Sequence, residues 1–316
     1  MSLEDDLRVV LSDRAAEPAP QPDLLESVRT GVRRDGRRRA LLAGAAAALA
    51  LVVAAAAPAV LSGRERRAAP APAAGLVPPP WSVPGFPMRP SWAPGDLGSP
   101  EVVVLGPNTV LKYERDVEVL QAETGPIAPD WEVETTEEHA VDVGGRPATV
   151  RTADDYDGAR PGDRFVGVRW RAAGGDWAQV VSLGTRTEDD VLRFARGLGP
   201  GTVAGRASVV AGLVPPGMVL QHHSEGSLCM APPADVAANR QPYGLCIGVG
   251  GEPFEFPPSA EKVTVGGRPA TYLAEGARLE VDLGGGRILD MSWDPEALPL
   301  TRQEAIRILE GVTIAN

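Results

Sequence analysis

The chain has 316 residues, 43% of them hydrophobic and 23% charged, and a formal net charge of -11. Residues 1–39 hold eight acidic and eight basic groups, so the whole negative excess lies beyond residue 63. A C-terminal part this acidic is a poor partner for nucleic acid or for anionic lipid, which sets both classes aside.

The N-terminal 39 residues read as a cytoplasmic tail. Two short amphipathic pieces open at Ser2 and Asp23, each with an acidic residue three positions on, Asp5 and Glu26, in the pattern of a capped helix start. Ala15 to Pro22 separate them. Neither is long enough to be a stable helix without a partner.

Residues 40–63 contain no ionisable side chain. At about 1.5 Å per residue, Ala40 to Leu61 would make roughly 33 Å of helix, enough to cross a hydrocarbon core of about 30 Å. Arg33, Arg34, Arg37, Arg38 and Arg39 crowd its N-terminal side. Basic flanks stay inside, so the expectation is a single transmembrane helix with its N-terminus cytoplasmic and everything after it outside. Ala57-Pro58-Ala59 would suit a signal peptidase, and Arg38-Arg39 would suit twin-arginine export. On either alternative the C-terminal part still leaves the cytoplasm. The lipid bilayer is thus the first expected partner.

Residues 64–100 read as a Pro-rich linker, with ten prolines between positions 68 and 100. Trp81, Phe86 and Trp92 are unusual in a free tether and are expected to pack back on the first folded part. From residue 101 the pattern changes to short alternating runs, and an internal repeat appears. Val143-Gly144-Gly145-Arg146-Pro147-Ala148-Thr149 returns as Val265-Gly266-Gly267-Arg268-Pro269-Ala270-Thr271. Each copy predicts a strand, a Gly-Gly hairpin turn and a second strand.

Further runs follow around Gly174-Gly175 in one copy and Gly284-Gly285-Gly286 in the other. Each copy then predicts a closing helix. Thr187 with Asp190, and Thr301 with Glu304, have the spacing of a capping box. Val191, Leu192, Ala195 and Leu198 align with Ala305, Ile306, Leu309 and Val312 at helical period. The expected fold class is α+β, as two tandem domains at 101–200 and 206–316. Each is an antiparallel sheet with a C-terminal helix, and both hang from the single transmembrane helix.

The order of tail, Arg cluster, Ala-rich span, Pro-rich stalk and sheet-plus-helix ectodomain resembles actinobacterial single-pass envelope proteins, including those of the anti-sigma-factor type. Only Lys112 and Lys262 among the 31 basic residues are Lys, the bias of a GC-rich genome. The resemblance implies an extracytoplasmic binding or sensing role, with a cytoplasmic tail able to engage a regulator. Residues 1–39 contain neither the His nor the Cys of the zinc-bearing anti-sigma class.

The two cysteines, Cys229 and Cys246, fall in the expected oxidising compartment and are the candidate disulfide. Neither a catalytic constellation nor a cofactor or metal site is expected. The three histidines are His139, expected at a surface turn, and His222-His223 beside Ser224 and Glu225. Asp154, Asp155 and Asp157 form the densest acidic loop, without the full calcium-loop pattern. Arg146 and Arg268 follow Gly-Gly turns, and turn chemistry accounts for them. Nucleophile-elbow, zinc-hydrolase and phosphate-loop patterns are missing. The expected function is therefore a membrane-anchored extracytoplasmic binding or sensing protein with an unidentified ligand or protein partner. Two alternatives stand beside it: an anti-sigma-like regulator acting through the tail, and an anchored hydrolase using acidic residues.

Overall fold

The computed structural model describes residues 75–131, 133–134, 136–239 and 244–315. All of them belong to one compact unit, Val60–Asn316. The expected cytoplasmic tail, the expected membrane span at 40–63 and the first part of the linker lie outside the described residues. Among the described residues no helix is long and apolar enough to cross a membrane.

The first copy of the repeat folds as β1 (Phe86–Pro90), β2 (Glu101–Leu105), β3 (Asn108–Arg115), β4 (Glu118–Gly125), β5 (Glu137–Asp142), β6 (Pro147–Ala153), β7 (Arg164–Arg171), β8 (Trp177–Gly184), α1 (Glu188–Arg196) and β9 (Leu198–Val203). The second gives β10 (Val209–Ala211), β11 (Val219–His223), β12 (Ser227–Ala231), the short α2 (Pro233–Ala237), β13 (Leu245–Gly250), β14 (Glu261–Val265), β15 (Arg268–Leu273), β16 (Arg278–Gly284), β17 (Arg287–Trp293), α3 (Arg302–Glu310) and β18 (Val312–Ile314).

Local chemistry sets the hairpins and helices. Both repeated turns place two glycines at positive φ, 60° and 80° at Gly144 and Gly145, 55° and 79° at Gly266 and Gly267. Residues with a side chain are strained there, and the resulting turn matches the right-handed twist of the flanking strands. Both helices start with the full capping box, Thr187 exchanging bonds with Asp190 and Thr301 with Glu304. Each helix end is tied to its own hairpin. The Arg196 side chain donates to the Asp142 carbonyl, and the Gly266 N–H donates to the Glu310 carboxylate.

The two copies do not form separate sheets. Among the described residues β14-β15-β16-β17-β13-β12-β11-β2-β3-β4-β8-β7-β6-β5 make a continuous 14-stranded sheet. Its two halves follow the same order outward from the centre, where β11 pairs antiparallel with β2 through His222 opposite Leu105 and His223 opposite Val104. The expectation of two sheets fails at this seam: each half leaves its first long strand with an unpaired edge, and the two edges satisfy one another.

Each half has its own core on the helix-bearing face. Val191, Leu192, Phe194 and Ala195 of α1 join Leu111, Leu120, Val166, Val168 and Trp170 in one. Ala305, Ile308 and Leu309 of α3 join Met230, Ile247, Leu279, Val281 and Met291 in the other. The Pro-rich stretch is built into both. Leu76 and Trp81 pack on the second core, and Val77 bridges Val214. Farther along, Phe86 is fully buried in the first core, where Met88 and Trp92 also pack, and β1 pairs with β9.

Candidate binding surface

Because side chains alternate along a strand, the residues between the core positions of each strand lie on the opposite, helix-free face. In the first half these are Phe165, Gly167, Arg169 and Arg171 of β7, Arg151 of β6, and Trp177 and Gln179 of β8. The loop from β4 to β5 folds over them. Its first turn is held by Asn108, whose amide donates to the Ile127 carbonyl at 2.9 Å. Farther on, Arg169 donates to the Pro129 carbonyl at 2.8 Å, and Gln179 donates to the Asp130 carbonyl at 3.2 Å.

These bonds deliver Trp131 onto Gly167. A methyl group at position 167 would stand 2.7 Å from the indole, so the missing side chain is what lets the ring lie down. A small apolar patch of Ala153, Phe165 and Val181 supports it. The result is a stack of alternating cations and rings. Arg151 lies 4.8 Å from the Trp131 ring centre and Arg169 4.3 Å from it; Arg169 is also 5.4 Å from the Trp177 ring, on which Arg171 rests at 3.8 Å.

The charges of this stack are unevenly answered. Arg151 pairs with Glu138 at 2.5 Å. Among the described residues Arg169 and Arg171 make no ion pair with a carboxylate; Arg171 instead donates to the Gly175 carbonyl at 2.5 Å. Burial, and then repulsion from Arg151, pull the Arg169 guanidinium below its ordinary value, with Asp130 and Glu138 opposing. Nearby Glu123 is pushed up by burial, against the hydrogen bond from Asn108, so its carboxyl holds a proton more readily than an exposed one.

The second half carries a different arrangement on the same scaffold. In the repeat Ala148 matches Ala270; Ala148 faces Trp170 and Ala270 faces Val281, so the Arg169–Gln179 pair corresponds to Glu280–Asp290. Arg278 bonds Asp290 at 2.7 Å and Glu280 at 3.2 Å. The Phe254 N–H donates to both Glu280 oxygens at 3.0 and 3.1 Å, and its ring lies 4.4 Å from the Arg278 guanidinium. Glu280 is buried, and burial raises the Asp290 carboxyl to about 6, with Arg278 lowering it and Glu280 raising it further. Here the single cation is more than neutralised from within.

The residues singled out in the sequence take varied places. Cys229 and Cys246 face one another across β12 and β13 and are disulfide-bonded. His139 lies within β5 rather than at a turn, where exposed residues line the sheet edge and its ring meets Glu188 of α1 at 3.0 Å. His222 and His223 stand at the central seam. His223 is 3% exposed with both ring nitrogens unpartnered, and burial followed by the neighbouring His222 depresses its basicity. Asp154, Asp155 and Asp157 are exposed, Asp154 near Arg164, and no group of three or more metal-binding side chains occurs among the described residues. Arg268 donates to the Leu283 carbonyl at 3.0 Å, and the Arg146 backbone closes its turn with Val143.

The Arg–Trp stack was only half visible in the sequence. Arg169-Trp170-Arg171 alternates as a strand with one wet face, but nothing local brings Trp131 and Trp177 beside it.

No protein-family model and no curated protein matches the chain. Two solved structures are similar to it, the Pseudomonas aeruginosa MucA/MucB complex and MucB in complex with MucA(peri). They are 10% and 11% identical, each covers 69% of this chain and 93% of its own, and the TM-scores are 0.19 and 0.18. A superposition that poor carries no argument about fold or role.

Proposed function

We propose that this chain is a membrane-anchored, extracytoplasmic binding or sensing protein, held by residues 40–63, whose ligand surface is the Arg–Trp stack on the helix-free face of the first half. The observation that carries it is the pair Arg169 and Arg171, which lie against Trp131 and Trp177 and make no ion pair with a carboxylate among the described residues, in a protein of net charge -11. Each gives one N–H to a backbone carbonyl, Arg169 to Pro129 and Arg171 to Gly175, and the remaining N–H groups of a stacked guanidinium can meet an acid. The apolar span with its arginine collar supports the anchor, and the Cys229–Cys246 bond suits an oxidising compartment. No residue of this surface is assigned a catalytic step.

A relay from this surface to residues 1–39, as in an anti-sigma-like regulator, is favoured by one feature. From residue 75 onward the linker is part of the fold, with Leu76, Trp81 and Phe86 packed on the two cores.

The test is fractionation of cells producing the full chain. The protein should sediment with membranes, lose its C-terminal part to protease added outside spheroplasts, and react with a thiol reagent only after reduction. A soluble, protease-protected product with both thiols free would overturn the proposal.

A further inference from the structure

Among the described residues one ladder joins the two halves of the 14-stranded sheet, β11 against β2, and it consists of two residue pairs, His222 with Leu105 and His223 with Val104. The ladders on either side are longer, four pairs between β11 and β12 and five between β2 and β3. Both β11 positions of this short joint are therefore histidines. One hydrogen bond closes each end: the Gly106 N–H donates to the Gln221 carbonyl at 2.7 Å, and the Glu225 N–H donates to the Glu101 carboxylate at 2.7 Å.

The two imidazoles point to opposite faces of the sheet. His223 stands opposite Leu228 of the second core, 3% exposed, and neither ring nitrogen has a hydrogen-bond partner. A neutral imidazole tolerates such a place, whereas an imidazolium, with a charge and two N–H donors, does not. His222 stands opposite Cys229, whose bond to Cys246 ties β12 to β13. The charged groups around the joint are few. β2 brings Glu101, which favours the charged form of His222, and Lys112 of β3 lies opposite Glu101. The turn after β11 brings Glu225, and α2, packed against β11, brings Asp235. β12 brings none, because Cys229 is disulfide-bonded. Burial, and then His222, depress the basicity of His223, and no carboxylate among the described residues offsets them.

We propose that this joint is an acid-sensitive latch: in mildly acidic medium His223 takes up a proton, the β11–β2 ladder parts, and the two halves of the sheet uncouple. Residues 76–88 pack on both cores and keep the halves tethered. Burial sets the sign. The closed joint holds fewer protons than the open one, so it is intact above the ordinary histidine value of about 6.5 and weakens as pH falls below it. Asp290 titrates nearby with the opposite sign, since its raised carboxyl strengthens the fold in acid, and it cannot produce this effect. The latch gives the sensing role proposed above a stimulus, acidity outside the cell. That use rests on the proposed placement, whereas the parting of the strands does not.

The test is hydrogen exchange of the full chain, in detergent, at pH 7.5 and 5.5, followed by mass spectrometry and corrected for the intrinsic pH dependence of exchange. Proton uptake by one opened imidazole of ordinary basicity favours opening about tenfold more at the lower pH. Segments 101–106 and 219–223 should therefore exchange about tenfold faster in acid, while 164–171 and 278–284, in the two cores, should not accelerate. His223→Phe replaces a ring that makes no hydrogen bond by an apolar one and should abolish the response, whereas His222→Gln should keep it.

No acceleration at the seam, equal acceleration in the two core segments, or an undiminished response in His223→Phe would overturn the latch. So would loss of the response in His222→Gln. If His223→Phe fails to fold, nitrogen NMR of the native imidazoles decides. His223 should be neutral at pH 7.5 and should charge together with the rise in seam exchange; charging without that rise would overturn the latch. A seam that parts in acid in a protein found to be cytoplasmic keeps the latch and removes the envelope role. An anchored, outward-facing protein whose seam ignores pH does the reverse.

Discussion

The Arg278–Glu280–Asp290 cluster makes a prediction whose sign depends on which physical effect wins at Asp290. Burial and Glu280 favour the protonated carboxyl, whereas the Arg278 bond at 2.7 Å favours the carboxylate. The balance raises Asp290 from 3.8 to about 6. At about 1.36 kcal/mol per pH unit this gap is worth about 3 kcal/mol. The Asp290 side chain is 30% exposed, so solvent screening reduces the expected effect to about 1–2 kcal/mol. Because the folded chain holds this proton more tightly than the unfolded one, the contribution is present in acid. It is lost as pH rises from about 4 through 6.

Asp290→Asn removes the titration with little change of shape. Urea unfolding of native and variant chains between pH 4 and 7.5 should therefore show the native advantage shrinking by about 1–2 kcal/mol as pH rises. His222 and His223 act in the opposite sense. Their depressed basicity costs stability as pH falls below the ordinary histidine value, and taking the difference between native and variant cancels them. A difference that grows with pH would mean that Arg278 outweighs burial. A flat one would mean that Asp290 is effectively solvated. Either outcome is incompatible with a carboxyl held protonated by burial.

Two further outcomes follow from packing and covalent structure. Phe86→Ala should cost about 3–5 kcal/mol, because the ring is fully buried in the first core. Val83→Ala nearby, at a side chain 40% exposed, should stay within about 0.5 kcal/mol; equal melting temperatures for the two variants would exclude β1 from the fold. The pair Cys229→Ala with Cys246→Ala removes a link spanning a sequence separation of 17 and should destabilise by about 3 kcal/mol. Calorimetry of the double variant checks this, and an unchanged melting temperature would refute it.

Much of the local structure was legible in the residues. Gly144-Gly145 and Gly266-Gly267 announced hairpins because positive φ is strained for other residues, and both turns form as expected. Thr187 and Thr301 announced helix starts because their hydroxyls sit at the right distance from the N3 amide, and both boxes close. What stayed hidden depends on distant parts of the chain. Pairing of β4 with β8 rather than β5 joins residues about sixty apart. Prolines disguised Phe86–Pro90, which is a strand only because β9 comes to meet it. Trp131 sits between prolines and acids with no periodicity to mark it. Its place is set by Asn108, Arg169 and Gln179 together, and by the absence of a side chain at Gly167.

The antiparallel seam between β11 and β2 has a consequence for how this architecture can be assembled. A polypeptide bearing a single repeat would end in a free ribbon there and would have to recruit a second molecule to cover it, at a stability that varies with concentration. Fusing two repeats turns that bimolecular step into an intramolecular one. The complement is then always present in equal amount, and each copy is free to diverge on its outward face without losing its mate.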